Sequence, residues 1–333
     1  GIECGLGVAL LEAGRHRGMC LAHLHRGDRG YGSASSAEQL RRLAEMGCTH
    51  VSLTPFGYVS ALDSEEIVWG SALDPSMTDE HLEAEALAAR ALGLEVCLKP
   101  HIWSRSFWSG KASRQDIQPR DWARWFASYE PFALHYAALA QRVGASLFCV
   151  GLEYLEATRQ NPGAWGALAR ACREVYDGQL TYGANWWAEA EAFADWRDFD
   201  LVGVNAYYPL KVGPEPSVEQ LVQAWEPHVL ALCELSARVD RPVLFAEAGL
   251  RAVKGAAREP WNQSLDGSPD GELQGRYYLA LLQAFGAQPW WRGVYWWKWF
   301  TASEGERDAY CPMGQPAEEV LDAWWGPRLS SEG

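Results

Sequence analysis

The segment Ser146-Leu-Phe-Cys-Val-Gly-Leu-Glu153 is a run of apolar residues that ends in a single carboxylate. Amphipathic patterns with helical periodicity occupy residues 121–143 before it and residues 164–176 after it. The run therefore has the composition and the setting of a buried strand between two helices. Gly144 stands directly after the first helical pattern, where a left-handed C-terminal cap favours glycine. These features predict one strand and helix unit of an α/β protein.

The same alternation of apolar run and amphipathic segment recurs along the chain. The predicted strands are residues 18–25, 49–56, 95–102, 146–153, 180–185, 201–207, 242–247 and 293–299. The predicted helices are residues 37–46, 79–92, 121–143, 164–176, 188–196, 218–239, 273–285 and 317–325. Strict alternation of strand and helix implies a parallel sheet, and eight units favour closure of that sheet into a barrel.

Two further signals favour a closed barrel over an open nucleotide-binding sheet. No GxGxxG motif follows the first predicted strand, and no GxxxxGK[ST] motif occurs in the chain. The longest irregular segment, residues 251–270, follows the seventh predicted strand, where the loops of a barrel carry the active site. The fold class is therefore predicted to be α/β, a (β/α)8 TIM barrel, with residues 1–333 as one domain.

The composition limits the partners that the chain is expected to bind. Hydrophobic residues make up 48% of the 333 residues and charged residues 22%, as in globular proteins with a large core. A formal net charge of −14 would repel the phosphates of nucleic acids and anionic membrane surfaces. The chain also has no uncharged apolar run of about 18 residues, the length that a membrane-spanning helix needs. We therefore expect neither nucleic acid nor a membrane as a partner.

The eight cysteines stand singly along the chain, without CxxC spacing. This pattern favours buried free thiols over a disulfide framework or a zinc site, and unpaired cysteines are typical of cytoplasmic proteins. The N-terminus has no charged and then apolar segment like that of a signal peptide, but the chain starts at Gly1, so a removed export signal stays an alternative. The compartment is left open, and no cofactor is expected.

Tryptophan is unusually abundant, with 18 among 333 residues. Several stand in adjacent pairs, namely Trp186 with Trp187, Trp290 with Trp291, Trp296 with Trp297, and Trp324 with Trp325. The faces of aromatic rings stack on the apolar C–H faces of sugars, so a cleft lined by tryptophan suits a carbohydrate. Packing of helices on the barrel is the alternative role for each of these residues. An oligosaccharide or polysaccharide is the expected substrate.

Two glutamates stand at the ends of predicted strands, where a barrel carries its active site. Glu153 ends the fourth strand, and Glu247 ends the seventh strand in the run Pro242-Val-Leu-Phe-Ala-Glu247. An ionised carboxylate after such a run has to be desolvated or specifically paired, a cost usually accepted only for function. A salt bridge at the rim is the alternative for either residue alone. Retaining glycoside hydrolysis needs two carboxyl groups about 5 to 5.5 Å apart, one as nucleophile and one as acid.

Motifs at the predicted strand ends resemble those of glycoside hydrolase family 113, the β-mannanases. This family belongs to the barrel hydrolases that carry the acid/base on strand four and the nucleophile on strand seven. The resemblance covers nearly the whole chain and depends on the order of the motifs. The motifs are Ser52-Leu-Thr-Pro-Phe-Gly57, Leu98-Lys-Pro-His-Ile102, Phe148-Cys-Val-Gly-Leu-Glu153, Gly203-Val-Asn-Ala-Tyr207, Pro242-Val-Leu-Phe-Ala-Glu-Ala-Gly249, Gly293-Val-Tyr-Trp-Trp-Lys-Trp299 and Pro316-Ala-Glu-Glu319.

The resemblance implies a retaining, endo-acting enzyme on β-1,4-mannan or glucomannan that needs no metal cofactor. It places the acid/base at Glu153 and the nucleophile at Glu247. Many barrels of the wider group have an asparagine before the acid/base, where its amide contacts the sugar 2-hydroxyl, but Leu152 stands there in this chain. Family 113 also lacks that asparagine, so recognition of the 2-hydroxyl is expected from elsewhere. The family keeps an aromatic residue at Trp297, which we expect beneath the sugar being cleaved.

Alternation along the third and sixth predicted strands adds candidate contacts. Lys99, His101 and Trp103 share a face of the third strand and would offer a sugar a donor, a polar ring and a stacking surface. Asn205 and Tyr207 share a face of the sixth strand, where the phenol is expected to hydrogen-bond the nucleophile. A structural histidine and a packed core tyrosine are the alternatives at these two strands.

Further candidates lie on the fifth and eighth predicted strands. Asn185 ends the fifth strand directly before Trp186, which suits a polar contact beside an aromatic platform. On the eighth strand, alternation places Trp297 and Trp299 on one face, so both are candidate sugar contacts.

The long loop and the first strand complete the set of candidate residues. Arg251 and Trp261, in the irregular segment after the seventh strand, are predicted to line neighbouring sugar subsites. His23 and His25 share a face of the first strand, a spacing that suits a metal, but no third ligand with matching spacing is visible. We therefore expect no metal site.

Two other functions remain open from the sequence. A retaining glycosidase or transglycosylase on another β-linked glycan would use the same barrel and the same carboxylates. A non-catalytic carbohydrate-binding barrel would keep the aromatic cleft, although such a module has no need of both Glu153 and Glu247. The oligomeric state is left open.

Overall fold

The computed structural model of the protein describes residues 14–326. Eight parallel strands close into a barrel in the order β1-β2-β5-β7-β8-β9-β10-β11, which confirms the predicted (β/α)8 fold. The strands are β1 (His16–Ala22), β2 (His50–Leu53), β3 (Phe56–Tyr58), β4 (Val68–Trp69), β5 (Glu95–Leu98), β6 (His101–Trp103), β7 (Leu147–Leu152), β8 (Gln179–Asn185), β9 (Val202–Asn205), β10 (Val243–Ala248) and β11 (Trp291–Phe300). The assignment of residues 1–333 to one domain stays a prediction, because residues 1–13 and 327–333 lie outside the described part.

Helices surround the barrel. They are α1 (Ala34–Glu45), α2 (Asp79–Ala91), α3 (Trp122–Val143), α4 (Leu155–Gln160), α5 (Ala164–Arg173), α6 (Val218–Val239), α7 (Gly271–Gly286) and α8 (Pro316–Trp325). Short 3₁₀ helices span Arg105–Ser109, Arg114–Asp116, Trp196–Asp198, Ala256–Arg258 and Ser303–Arg307. Of the residues described, no helix is both long enough and apolar enough to cross a membrane.

The core has two parts. The larger part consists of apolar side chains packed between the strands and the surrounding helices. A smaller cluster fills the interior of the barrel and consists of Cys20, Cys97, Leu147, Leu201, Leu244 and Tyr295. The seven cysteines in the described part are free thiols, and six of them are buried. Cys4, the eighth in the sequence, lies outside that part.

Prolines divide two of the predicted strands. The predicted strand 49–56 is split into β2 and β3 at Pro55, and the predicted strand 95–102 is split into β5 and β6 at Pro100. Proline has no N–H to donate to a strand ladder, so each barrel strand stops before it. The extensions β3 and β6 pair with each other in parallel, and β4 pairs with β3 in the antiparallel direction. They form a three-stranded sheet at the C-terminal mouth of the barrel.

The helix predicted for residues 188–196 is wrong. Turns occupy this segment, and only the 3₁₀ helix Trp196–Asp198 follows. The reason lies in Glu189, whose carboxylate accepts hydrogen bonds from the backbone N–H and the side-chain amide of Asn185. A side chain that binds the backbone before it competes with helix formation. The short helix α4 directly after Glu153 was not predicted from the sequence.

A pair of histidines closes the N-terminal end of the barrel. The rings of His16 and His50 stack at a centroid distance of 3.8 Å. His16 Nδ1 lies 3.0 Å from the hydroxyl of Tyr295, and His50 Nδ1 lies 2.7 Å from Oγ1 of Thr49. Burial lowers the pKa of His16 to about 4 and that of His50 to about 2, so both rings are neutral in the fold.

The neutral histidine pair makes stability depend on pH. Histidine titrates near pH 6.5 in an unfolded chain, so the stability that this pair contributes is present above about 6.5 and is lost as the pH falls towards about 4. We expect the free energy of unfolding, measured with urea, to fall over this range. In His50→Asn the slope of this free energy against pH should become smaller, because about one proton fewer is taken up on unfolding. An unchanged slope would contradict this explanation, and His25→Asn, at a half-exposed histidine, is the control.

Candidate active site

The C-terminal ends of β7 to β10 bring the two predicted catalytic glutamates to the mouth of the barrel. Glu153 follows β7 directly, and Glu247 lies near the end of β10. Asn205 on β9 is paired in register with Glu247 on one side and with Asn185 on the other. The polar residues predicted on these neighbouring strands therefore meet at one edge of the barrel.

Glu247 is buried and has a separate donor for each oxygen. Lys99 Nζ donates to Oε1 at 2.7 Å, and the hydroxyl of Tyr207 donates to Oε2 at 2.8 Å. Burial raises the pKa of Tyr207, and the charge of Glu247 raises it further, so the phenol keeps its proton. Nε2 of His101 lies 3.8 Å from Oε1. These donors fix the carboxylate in one orientation.

The position of Lys99 corrects its predicted role as a sugar contact. Its side chain is 1% exposed, and Nζ points at Glu247 Oε1, at the carbonyl of Ala246 (3.3 Å) and at the thiol of Cys20 (3.7 Å). Burial alone would lower the pKa of Lys99, but the adjacent Cys20 and Glu247 raise it above its ordinary value. The ammonium therefore keeps its charge, and its donors are directed at Glu247 and its neighbours and not at the cleft.

Glu153 is held by a different pair of donors. Asn205 Nδ2 donates to Oε1 at 2.8 Å, and Arg114 Nη2 donates to Oε2 at 3.2 Å. The backbone of Glu153 lies in the left-handed region with φ 55°, an uncommon conformation for a residue other than glycine. A Cβ added to Gly183 would lie 3.1 Å from Asn205 Oδ1, so the glycine leaves room for the amide that reaches Glu153.

Arg114 was missed by the sequence analysis. It lies in the 3₁₀ helix Arg114–Asp116, in the long connection between β6 and α3. Burial would lower the pKa of Arg114, but the nearby Glu153 and Glu247 raise it. A single arginine in an irregular segment carries no periodic signal, so only the folded loop reveals that it faces the two carboxylates.

His101 and Trp297 lie side by side in the site. Their rings are parallel within 10° at a centroid distance of 6.1 Å. His101 is 2% exposed, and burial lowers its pKa well below the ordinary value, so the ring is neutral. Within residues 14–326, its Nε2 has no hydrogen-bond partner. Trp297 is partly exposed and packs against the cluster inside the barrel.

Trp299 lies outside the site, contrary to the prediction from alternation. It is fully buried against α1, where its Nε1 donates to Gln39 Oε1 at 3.0 Å and the Arg42 guanidinium lies 5.0 Å from its ring. The register between β1 and β11 is irregular here, because Met19 pairs with Trp296 but Leu21 pairs with Trp299. One extra residue on β11 reverses the alternation after Trp297.

A row of aromatic rings leads outward from the two strand-end glutamates. His101 contacts Phe56, which packs against Tyr58, and Tyr58 contacts the predicted sugar contact Trp103. Trp103 in turn contacts Trp108 at a centroid distance of 5.2 Å, and Trp108 is 75% exposed. Most of this row stands on the small sheet formed by β3, β4 and β6.

The remaining predicted contacts have different surroundings. Asn185 is buried against Glu189, and its Nδ2 lies 3.5 Å from the carbonyl of Glu153. Trp186 is partly buried and packs against Tyr208. In the long loop, Arg251 Nε donates to the carbonyl of Leu265, and Arg251 lies over the ring of Tyr310. Arg251 therefore ties the loop to the barrel, while Trp261 is 49% exposed.

A third potential metal ligand lies beside His23 and His25. The ligand atoms of these histidines and of Asp74 lie within 4.8 Å of one another. His23 Nδ1 accepts from the backbone N–H of Tyr31, so its proton is on Nε2, which lies 2.9 Å from the Ser76 hydroxyl. His25 Nδ1 lies 2.5 Å from the Asp74 carboxylate. A metal on His23 would require a lone pair that this hydrogen bonding does not leave free.

Comparison with known proteins agrees with this geometry. The model of Glycoside Hydrolase Family 113 matches residues 22–314. The GH113 β-mannanase AaManA from Alicyclobacillus acidocaldarius, solved in complex with ManMIm, is 28% identical with a TM-score of 0.81, over 95% of this chain and 98% of that chain. A GH113 β-1,4-mannanase, described as a complex structure, is 25% identical with a TM-score of 0.80, over 94% of this chain and 99% of that chain. No curated protein sequence matches significantly. Because the family model covers most of the barrel and both strand-end glutamates, the chain belongs to glycoside hydrolase family 113.

Proposed function

We propose that the protein is a retaining, endo-acting hydrolase that cleaves β-1,4-mannan or glucomannan by double displacement. The observation that carries the proposal is the pair of carboxylates Glu153 and Glu247 at the mouth of the barrel, each with its own set of donors. The two structures compared above are those of β-mannanases, which supports mannan as the polymer. We expect the two carboxyl groups to lie about 5 to 5.5 Å apart in the sugar-bound enzyme.

Glu247 is the proposed nucleophile. The ammonium of Lys99 and the phenol of Tyr207 each bind one of its oxygens, which keeps the carboxylate charged and aligned. In the first step Glu247 attacks the anomeric carbon, the glycosidic bond breaks, and a covalent glycosyl-enzyme forms.

Glu153 is the proposed acid/base. In the first step its proton passes to the glycosidic oxygen of the leaving sugar. In the second step the Glu153 carboxylate takes a proton from water, which attacks the anomeric carbon and releases Glu247. Asn205 and Arg114 bind the two oxygens of Glu153, so the same contacts orient the group in both steps.

Two buried polar atoms lie unpaired beside the two carboxylates. Nε2 of His101 and Oδ1 of Asn205 have no hydrogen-bond partner among the described residues. Buried polar atoms are nearly always paired in folded proteins, so these two support a polar ligand at this place. Leu152 cannot contact the 2-hydroxyl as an asparagine would, and we propose His101 and Asn205 in its stead. Trp297 is the proposed stacking surface beneath the sugar.

The first prediction tests the nucleophile. In Glu247→Ala, turnover of mannan should fall by several orders of magnitude, because both chemical steps use this carboxylate. A 2-deoxy-2-fluoro mannosyl fluoride should label the wild type on the peptide that contains Phe245-Ala-Glu247, as measured by mass spectrometry. Azide should partly restore turnover of an activated aryl mannoside by the variant and yield the α-azide.

Controls separate loss of chemistry from loss of structure and from a different substrate. Glu85→Ala removes another buried carboxylate, which is bound to Ser36 and to the backbone of Gly32, and should keep the label and the turnover. A label on another carboxylate, or efficient hydrolysis of mannan by Glu247→Ala, would refute the nucleophile. Labelling by the gluco reagent alone would change the substrate and leave the mechanism intact.

The second prediction concerns the outer end of the aromatic row. In Trp108→Ala, KM for mannan should rise about two- to tenfold, which corresponds to the roughly 0.5 to 1.5 kcal/mol of an aromatic stacking contact. Turnover of a short aryl mannoside, which cannot reach Trp108, should stay unchanged. Leu230→Ala, at an exposed apolar residue on α6, is the control. An equal change for both substrates would show that Trp108 is not a polymer contact.

A further inference from the structure

Glu189 is a third buried carboxylate near the site, and the reaction described above does not use it. It is 1% exposed and accepts four hydrogen bonds. Oε1 accepts from the hydroxyls of Tyr182 (2.7 Å) and Thr158 (3.1 Å). Oε2 accepts from the backbone N–H (2.8 Å) and the side-chain amide (2.9 Å) of Asn185. Its exposure and its partners leave no route for contact with a sugar.

Two of these partners also bind the peptide bond that follows the acid/base. The Tyr182 hydroxyl, which donates to Glu189, accepts from the backbone N–H of Tyr154 at 2.8 Å. The Asn185 amide, which also donates to Glu189, lies 3.5 Å from the carbonyl of Glu153. Glu189 is thus connected through one intermediate side chain to each polar group of the peptide bond that follows Glu153.

This connection matters because of the backbone conformation at Glu153. A left-handed conformation at a residue other than glycine is strained and persists only where the surroundings fix it. The conformation sets the direction in which the side chain leaves the end of β7. A peptide bond held at both of its polar groups keeps that direction constant.

We propose that Glu189 is the positioning residue of the acid/base: through Tyr182 and Asn185 it fixes the peptide bond between Glu153 and Tyr154 and so aims the Glu153 carboxyl group at the glycosidic oxygen. This inference rests on the proposed role of Glu153. Burial raises the pKa of Glu189 to about 7 in spite of its hydrogen bonds, so a charged group is costly at this position. Such a cost is common where a carboxylate serves function.

The alternative is that Glu189 only stabilises the turns at residues 186–195. The two roles predict different losses of activity for substrates with different leaving groups. A misplaced acid slows the departure of a sugar, whose oxygen needs a proton, but not that of dinitrophenolate, which leaves without one. A general loss of structure lowers activity on both substrates equally.

The experiment compares kcat/KM of Glu189→Gln for a mannooligosaccharide and for a 2,4-dinitrophenyl mannooligosaccharide, because kcat/KM reports the step in which the acid acts. Glutamine has the same size as glutamate, but its NH₂ group cannot accept the hydrogen bonds that one of the Glu189 oxygens accepts. We expect a fall of about 10- to 100-fold for the oligosaccharide, within the range that general acids and misplacement contribute, and less than about threefold for the activated substrate. Glu153→Gln, which removes the proposed acid itself, gives the reference for the difference in kcat/KM between the two substrates.

Matched variants control for folding. Glu85→Gln removes the charge of an equally buried carboxylate that is bound to Gly32 and Ser36, and it should change neither value. If Glu189→Gln does not fold, Tyr182→Phe removes the hydroxyl that joins Glu189 to the N–H of Tyr154, leaves the link through Asn185 in place, and should show the same difference between the two substrates in smaller size. Its control is Tyr176→Phe, which removes a buried hydroxyl bound to the carbonyl of Ala145.

The outcomes are distinguishable. Equal losses for both substrates in Glu189→Gln or in Tyr182→Phe, or no loss in either, would overturn the positioning role. A wild type that hydrolyses neither manno nor gluco substrates would overturn the proposed function itself. If the wild type hydrolyses only gluco substrates, the same comparison is made with gluco substrates. The conclusion about Glu189 then follows from it in the same way.

Discussion

The buried contact between Lys99 and Glu247 is the interaction on which the site depends. Each charge would cost several kcal/mol to bury alone, and removal of one partner from such a pair typically destabilises a protein by about 3 to 5 kcal/mol. Lys99 directly follows β5 and Glu247 lies on β10, on different sides of the barrel, so the pair exists only when the barrel is closed. An irregularity in the pairing of β10 between Phe245 and Glu247 turns the glutamate inward. The barrel must therefore close for the two charges to meet, and the two charges must meet for either to be buried without a large cost.

Much of this arrangement follows from the sequence, since strand ends in a barrel converge at one mouth. Glu153 and Glu247 are conspicuous because each is a single charge after an apolar run, and the bond from Tyr207 to Glu247 follows from its place on the neighbouring strand. Strand alternation also put Asn205 at the same edge. These features depend on local pattern and on the regular geometry of parallel strands, which the sequence carries directly.

The features that escaped prediction depend on irregular geometry. Trp299 points to α1 because β11 contains an extra residue, and no composition signal marks that residue. Arg114 lies in an irregular loop and Glu189 in a segment whose pattern wrongly predicted a helix, and their contacts form only after the chain has folded around the ends of β7 and β8. Glu189 even resembled a helix residue, because the turns around it contain residues with good helix propensity. Tertiary packing decided these positions.

The small sheet at the mouth has a consequence for how such an enzyme can diversify. Pro55 and Pro100 end the barrel ladder, and β3 and β4 make their strand pairs only with each other and with β6 among the described strands. The hairpin of residues 56–69 lies outside the barrel ladder and is held to the scaffold by Gly57 against Phe132 of α3 and by Val59 and Ile67 in the core. Replacement of this hairpin would reshape the wall of the cleft while the hydrogen bonds that close the barrel stay the same. Substitutions at its exposed positions would thus change the cleft while the barrel and the core contacts of Val59 and Ile67 are kept.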